Sequence, residues 1–537
     1  MTPKRNALPF FTVVCVLCFM LAFESASAQT QPRTNPSGFR ATSGGNGHYS
    51  LLSMQISPGT ATLTSGQTSQ LAATGKGTDN NMHTVTSHVT WSSSSTAVAT
   101  VTSAGLVTAV GLGSATITAS RGGVQSTSKI TVSQKNSSGP VVPASLFSMS
   151  FHSRTDWPTV TINSVRLWDT GTYWATMNTS DGVYDFHVLD NWTAAAQSNG
   201  VDLIYTFGMV PTWASSQPSL ICGTGVNFNA GSCAPPDDLN ADGTGTNQHW
   251  KDFVTALVTH AAGSIKYYEL WNEPTITSYW QGNDAQLVRM ASDAYGIIKS
   301  IDPTAQVTTP SPSTGINGVA NWMGPYLAAG GGQYADIVSF HGYSWSQNPG
   351  VYPQPEDIVG IVDNLKVQTA LYGQSNKPLW CTEGSWGGTT GNGFTDPDLH
   401  AAYVARHYLL QNSEGVVRYY WYAYDNGTWG GLWDSTSGLN TSGTAYQQVE
   451  NWIVGATTGG QCVQNGTVWN CTYTRSGGYA AEAIWDTSQT CSNGSCTTST
   501  QSVGSQYLHY LDLTGISHNV VGASVPVGAK PILLQNQ

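Results

Sequence analysis

Charge is what this chain most lacks: Asp, Glu, Lys and Arg make up 9% of its 537 residues, 20 basic against 31 acidic. No basic run is present to neutralise phosphates, which argues against a nucleic-acid partner. His-Glu-x-x-His, Gly-x-Ser-x-Gly, a P-loop and zinc-spaced cysteines are all missing. Zinc proteolysis, serine acyl transfer and nucleotide hydrolysis therefore leave no trace. Beyond the first thirty residues no segment is apolar enough to cross a bilayer. The one long apolar run, Leu8 to Phe23, follows Lys4 and Arg5 and precedes Ala26-Ser27-Ala28. That pattern reads as a signal peptide cleaved before Gln29. A membrane anchor is the competing reading, but the run is short for a span and the cleavage site follows at once. Neither Cys15 nor Cys18 follows a small residue, so a lipoprotein anchor is not indicated. The expected product is secreted, extracellular or periplasmic, and free of the membrane. Its formal charge moves from −11 to −12, since Lys4, Arg5 and Glu24 leave with the signal.

Cysteine is scarce as well: nine residues, seven after export. Cys222/Cys233, Cys462/Cys471 and Cys491/Cys496 are close enough in sequence for loop-closing disulfides in an oxidising compartment. Cys381 is left over inside an apolar run and reads as an inert buried thiol. Aromatics, by contrast, are plentiful, with 19 Trp and 24 Tyr. They suit neutral polyhydroxylated ligands, although packing in a core is the commoner use.

The pattern changes along the chain. Residues 1–28 are the signal, and 29–50 a Gly/Ser/Pro/Asn-rich leader. Residues 51–133 show short β segments between turns, with half-buried alternation such as Ala115, Ile117, Ala119, as in a β-sandwich. A linker at 134–145 leads to residues 146–454. There "LFSMSF", "VRLWD", "DLIYTFG", "IKYYELW", "QVTTP", "DIVSFHGY", "PLWCTE" and "VVRYYWYAY" alternate with amphipathic helices. One helix aligns Trp250, Phe253, Val254, Leu257, Val258 and Ala261, another Leu287, Met290, Ala291, Ala294, Ile298 and Ile301. Eight such strands predict a (β/α)8 TIM barrel with its site at the C-terminal strand ends. An open doubly wound sheet would carry a Gly-rich loop after its first strand, and none is present. Residues 455–537 return to β segments and predict a C-terminal β-sandwich packed on the barrel.

Two carboxylates stand out. Glu273 follows the fourth strand in "YYELWNEP", and Glu383 ends the seventh in "PLWCTEG", where Gly384 permits a turn. In a closed barrel these positions face each other across the mouth. Glycoside hydrolysis needs one acid to protonate the leaving oxygen and one carboxylate to attack the anomeric carbon, roughly 5–5.5 Å apart for retention. A lone Glu in a loop is usually a cap or ion pair. Two at strand tops in so weakly charged a chain are not.

"WNEP" at Trp271–Pro274, "TEG" at Thr382–Gly384 and the eight-strand order resemble the clan A glycoside hydrolases. "GMVPTWAS" after the third strand looks most like family 39, which contains β-xylosidases and α-iduronidases; families 5, 30 and 79 share the outline. Thr275 and Gly384 depart from the family 39 pattern. "STAVATVTSAGLVTAVGLGSATITA" (Ser95–Ala119) resembles a group 2 bacterial immunoglobulin-like module. The resemblance implies a retaining mechanism, with Glu273 as acid/base, Glu383 as nucleophile, and Asn272 on the sugar 2-hydroxyl. It implies that Arg166 holds Glu383 ionised, a neighbouring cation lowering a carboxylate's pKa. His341 and Tyr343 match positions that orient nucleophile and substrate. Trp421 suits the stacking platform under the sugar, while Trp213 and Trp386 are either mouth residues or loop core. A carbohydrate substrate and a monomer are expected, and no metal or cofactor is required. The rival reading is a non-catalytic carbohydrate-binding or adhesive protein on a degenerate barrel, which would have no reason to keep Glu273, Glu383, Asn272 and Arg166 together.

Overall fold

The computed structural model describes residues 49–537 except 65–66, 112, 134–138, 224–228, 314, 345–352, 388–393 and 493. The signal, nearly all of the leader and the first half of the linker lie outside the described residues. Residues 51–133 form antiparallel sheets, with one parallel pairing between Thr60–Thr64 and Val124–Ser133. Ala115, Ile117 and Ala119 face inward with Ile56, Leu71, Val107 and Ile130, as their alternation predicts.

Eight parallel strands follow: β1 (Phe147–Ser150), β2 (Ser164–Leu167), β3 (Asp202–Thr206), β4 (Tyr267–Glu269), β5 (Gln306–Thr308), β6 (Val338–His341), β7 (Leu379–Gly384) and β8 (Val416–Tyr422). Their order is β5-β4-β3-β2-β1-β8-β7-β6. A parallel bridge between Thr308 and Ile337 joins the two ends and closes the barrel. Strands buried on both faces read as short, largely apolar runs, which is why all eight were visible in the sequence.

The surrounding helices are α1 (His187–Asn199), α2 (Gln248–Ala261), α3 (Asp284–Ile301), α4 (Gly315–Ala328), α5 (Asp357–Leu371), α6 (Pro397–Ser413) and α7 (Thr441–Ile453). Helix α2 buries the six residues of its predicted stripe. Helix α3 starts on a capping box between Asn283 and Gln286. Its stripe stops short of Ile301, which is 38% exposed where the helix ends. The connection from β1 to β2 carries no helix.

The tail forms antiparallel sheets, including Val468–Arg475, Tyr479–Asp486 and Ile532–Gln535. It is fastened to the barrel: Trp485 donates to Glu356 at 2.8 Å, and Lys530 pairs with Asp398 at 2.6 Å. Helix α6 is therefore covered on both sides and buried continuously from Ala401 to Ser413. The end of the predicted linker is pinned as well, Val141 bridging Thr457. All three expected disulfides are formed, and Cys381 is free and buried. Among the described residues no helix is long and apolar enough to cross a membrane.

Candidate active site

The site grows out of Arg166, the third residue of β2, which is fully buried inside the barrel. Its Nε donates to Glu269 at 2.7 Å, one terminal nitrogen to Glu383 at 2.6 Å, and the other to the Asn272 side-chain oxygen at 2.7 Å. The same nitrogen lies 3.2 Å from His341 Nε2. A guanidinium only donates, so Nε2 must be the ring's lone-pair nitrogen, which leaves the proton on Nδ1. Nδ1 lies 2.9 Å from Glu273 Oε1 and is thus its donor. The other oxygen of Glu383 accepts from the Tyr343 hydroxyl at 2.7 Å. Five of the predicted residues, Arg166, Asn272, Glu383, His341 and Tyr343, are therefore linked to one another and to Glu273.

Glu273, 8% exposed, and Glu383, 7% exposed, meet at the bottom of the mouth. One carboxylate oxygen of each and one His341 nitrogen lie within 4.8 Å of one another. Glu273 adopts φ +41°, a left-handed conformation costly for a residue with a Cβ. The turn is held by its amide, which donates to Ser311 O at 3.0 Å. A divalent cation would find three ligands here, two carboxylates and one imidazole, but Arg166 already occupies Glu383 and His341, and a like charge opposes it. The cluster suits proton movement better than metal binding.

Burial pushes the Glu383 carboxyl above its ordinary range; His341 and Arg166 oppose the shift, and Glu273 adds to it. Arg166 thus pulls Glu383 down as expected, but burial outweighs it. A second carboxylate, Glu269 at the end of β4, binds the same guanidinium. Burial also raises Glu269, but Arg166 and His341, with the Ser311 and Thr382 hydroxyls, more than offset it and hold it below the usual range. Arg166 donates to both carboxylates, and Glu269 is the more deeply buried of the two. Glu269 stands in "YYELWNEP", four residues before Glu273, but its role depends on the inward orientation of β4, which the motif does not give.

The aromatic assignments need correction. Trp421 has no exposed surface: its ring packs among Tyr403, Tyr408, Tyr419 and Trp386, and its Nε1 donates to Gly430 O. Its neighbour Tyr422 is the mouth residue, because successive strand side chains face opposite ways. Tyr422 is half-buried, donates to Asp169 at 2.7 Å, meets the His152 ring edge-on at 5.7 Å and senses the Glu383 charge. Trp386 is loop core, 3% exposed and stacked on His400 at 4.1 Å. Trp213 is half-buried, donates to Asn178 O and packs on His249; neither contact touches a glutamate. Gly384 makes no turn but continues β7, where a Cβ would lie 3.1 Å from Gly342 O and 3.2 Å from the Tyr419 ring.

Further mouth residues carried no sequence signal. Tyr279 feels both catalytic-site glutamates, Trp168 packs edge-on against Tyr173 and Tyr279, and His152 pairs with Asp425 at 3.1 Å. Gly208 allows Trp168 this position, since a Cβ there would lie 2.8 Å from the ring. Asn272 completes the floor: its side-chain nitrogen is buried without a protein partner, a donor left for a ligand.

Known proteins resemble this chain in two of its regions and in its fold. A family model for a bacterial Ig-like domain (group 2) matches residues 52–132, and one for a glycosyl hydrolase catalytic core matches residues 185–446. Ice-binding protein 1 of Shewanella frigidimarina is 30% identical over 195 residues, 34% of this chain and 22% of that protein, so the chain spans about a fifth of that relative. Among solved structures, a monomeric β-xylosidase from Caulobacter crescentus superposes with a TM-score of 0.52 at 17% identity, covering 74% of this chain and 97% of that one. A family 39 glycoside hydrolase from Xanthomonas axonopodis pv. citri gives 0.50 at 17%, covering 74% and 95%. At such identity these likenesses speak for the fold. The chain thus carries a glycosyl hydrolase catalytic core on a (β/α)8 barrel, behind a group 2 bacterial immunoglobulin-like domain.

Proposed function

We propose that this protein is a secreted retaining glycosidase that cleaves a polysaccharide or oligosaccharide through a covalent glycosyl-enzyme at Glu383. The observation that carries the reading is the approach of Glu273 and Glu383 to within 4.8 Å at their nearest oxygens. So close an approach favours retention, whose carboxyl groups stand roughly 5–5.5 Å apart, over inversion, which needs about 6.5–9.5 Å to admit a water.

The roles follow from what holds each carboxylate. Both oxygens of Glu383 accept hydrogen bonds, from Arg166 and Tyr343, which fixes its direction for attack. Glu273 is bonded by His341 on one oxygen and stands beside the orphan amide of Asn272, placing it over the glycosidic oxygen as acid. Arg166 pairs with Glu269 as well as Glu383, which leaves Glu273 to face the leaving group. In the first step Glu273 gives its proton to the leaving oxygen as the glycosidic bond breaks and Glu383 bonds to the anomeric carbon. Esterification removes the charge of Glu383, and Glu273, now ionised, takes a proton from the incoming water. The Asn272 amide would donate to the sugar 2-hydroxyl, and Tyr422 would supply the platform under the ring.

Export is supported by the N-terminal sequence pattern and by three disulfides, which persist in oxidising compartments. A binding-only barrel would have no use for the buried Arg166 network, whose desolvation is costly. The test is a 2-fluoro glycoside with an activated leaving group, followed by peptide mass spectrometry. Label on Glu383 is expected; label on another carboxylate would refute the assignment.

A further inference from the structure

The mouth of the barrel holds five carboxylates and one permanent cation. Glu269 and Glu383 bond Arg166 directly and Glu273 reaches it through His341, while Asp169 accepts from Tyr422 and Asp425 from the His152 amide; the Arg166 nitrogens are committed to Glu269, Glu383, Asn272 and His341. Arg166 is also wholly buried, so no face of it is open to a ligand.

Most other basic residues of the barrel are committed elsewhere. Lys266 pairs with Asp202, Arg289 with Asp293, Lys299 with Asp336, Lys366 with Glu414 and Arg406 with Glu356. Lys377 donates to Gly332 O and Ala335 O, Arg418 lies between the Tyr267 and Trp380 rings, and Lys251 sits on α2. Arg154 is exposed, with its guanidinium 5.8 Å over the Trp192 ring. Residues 224–228, 345–352 and 388–393 contain no Lys or Arg in sequence.

We infer that the sugar bound over Glu383 is electrically neutral, a pentose or hexose, and that this site rejects uronic acids and other anionic sugars. The inference rests on the glycosidase reading and narrows its substrate class. A carboxylate over Glu383 would leave water without gaining a cation from the buried network beneath it, and would face Asp169 and Asp425 as well as the glutamates. Desolvation and like-charge repulsion act in the same direction. A neutral sugar meets the opposite situation. Its hydroxyls can donate to carboxylates, accept from the orphan Asn272 amide, and place a ring face against Tyr422.

The experiment compares matched substrates on the whole secreted protein. Aryl glycosides of neutral pentoses and hexoses are set against aryl glucuronides. Neutral xylans and glucans are set against polyuronates, with released reducing sugar as the readout. Turnover of at least one neutral substrate is expected, with kcat/KM for every uronide lower by roughly 10²-fold or more. Equal or preferred cleavage of a uronide or polyuronate would overturn the inference, and so would equal processing of a glucuronide and its uncharged methyl ester. Arg154→Ala should leave this ratio unchanged; a shift in it would show an anion-binding cation at the mouth and refute the claim. If nothing in either set is cleaved and the 2-fluoro reagents leave Glu383 unlabelled, the glycosidase reading itself fails.

Discussion

Arg166 and Arg418 are both buried inside one barrel, near opposite ends of its strands, and they are stabilised by different means. Arg166, on β2, is surrounded by Glu269, Glu383, Asn272 and His341. Arg418, at the start of β8, is held between the rings of Tyr267 and Trp380, 4.5 and 4.4 Å from their centroids, and donates to the Tyr420 hydroxyl at 3.3 Å. The lower arginine plugs the barrel without a carboxylate partner in that contact set. The upper one holds two carboxylates in place, a costly arrangement that stability alone would not need. In barrels of this kind the C-terminal face carries the chemistry and the opposite face the stability.

The sharpest way to break this comparison is to replace both arginines. Arg166→Met should abolish measurable turnover and cost about 3–5 kcal/mol in urea unfolding, because Glu269 is left buried without its cation. Arg418→Met should cost only about 1–2 kcal/mol, the scale of desolvated cation–π contacts, and leave kcat near its original value. Equal loss of activity in the two variants would contradict the division.

Glu273→Gln comes next. It should slow hydrolysis roughly 10²–10⁴-fold where the leaving group must be protonated, and far less where an activated aryl group departs unaided. Steady-state kinetics on matched substrates reads this directly, and equal losses would remove Glu273 from the acid role.

A neighbouring pair on β8 gives a smaller contrast. Trp421→Phe should lower stability by about 1–3 kcal/mol through the cavity it leaves, with KM unchanged. Tyr422→Phe should raise KM several-fold with little loss of stability, since its hydroxyl fixes the ring through Asp169. The reverse pattern would return the platform to Trp421.

This pair also shows where the sequence stops being informative. Strand identity survives in an apolar run, but side-chain direction at a strand end does not, because one residue of register reverses it. Bulges between Phe340 and His341 and between Cys381 and Gly384 add to the ambiguity at this mouth. The two glutamates were legible because their motifs mark strand ends. Glu269 needed the inward orientation of β4, and His152, Asp169, Asp425 and Tyr279 needed contacts between segments far apart in the chain. Short cysteine spacings, by contrast, left little freedom in pairing.

The last contrast, seen only as a pH dependence, compares two buried glutamates. Glu269 has Arg166 and stays below the usual carboxylate range, whereas burial pushes Glu482 in the tail up to about 7. Unfolding would return Glu482 to an ordinary value near 4.3, so the folded state binds the extra proton between about pH 4.3 and 7. Its stabilising contribution is present below that window and lost as pH rises through it, on the order of 3 kcal/mol. Glu482→Gln should flatten this decline in urea unfolding measured from pH 5 to 8, and an unchanged slope would show that Glu482 is not its source.

The central claim is that Glu383 attacks the sugar directly, with Glu273 supplying and then removing the proton. Proton NMR of the first-formed product, recorded before mutarotation, tests it most directly. The anomeric configuration of the substrate should be retained in that product. An inverted first product would mean that water, not Glu383, makes the attack, and would contradict the account.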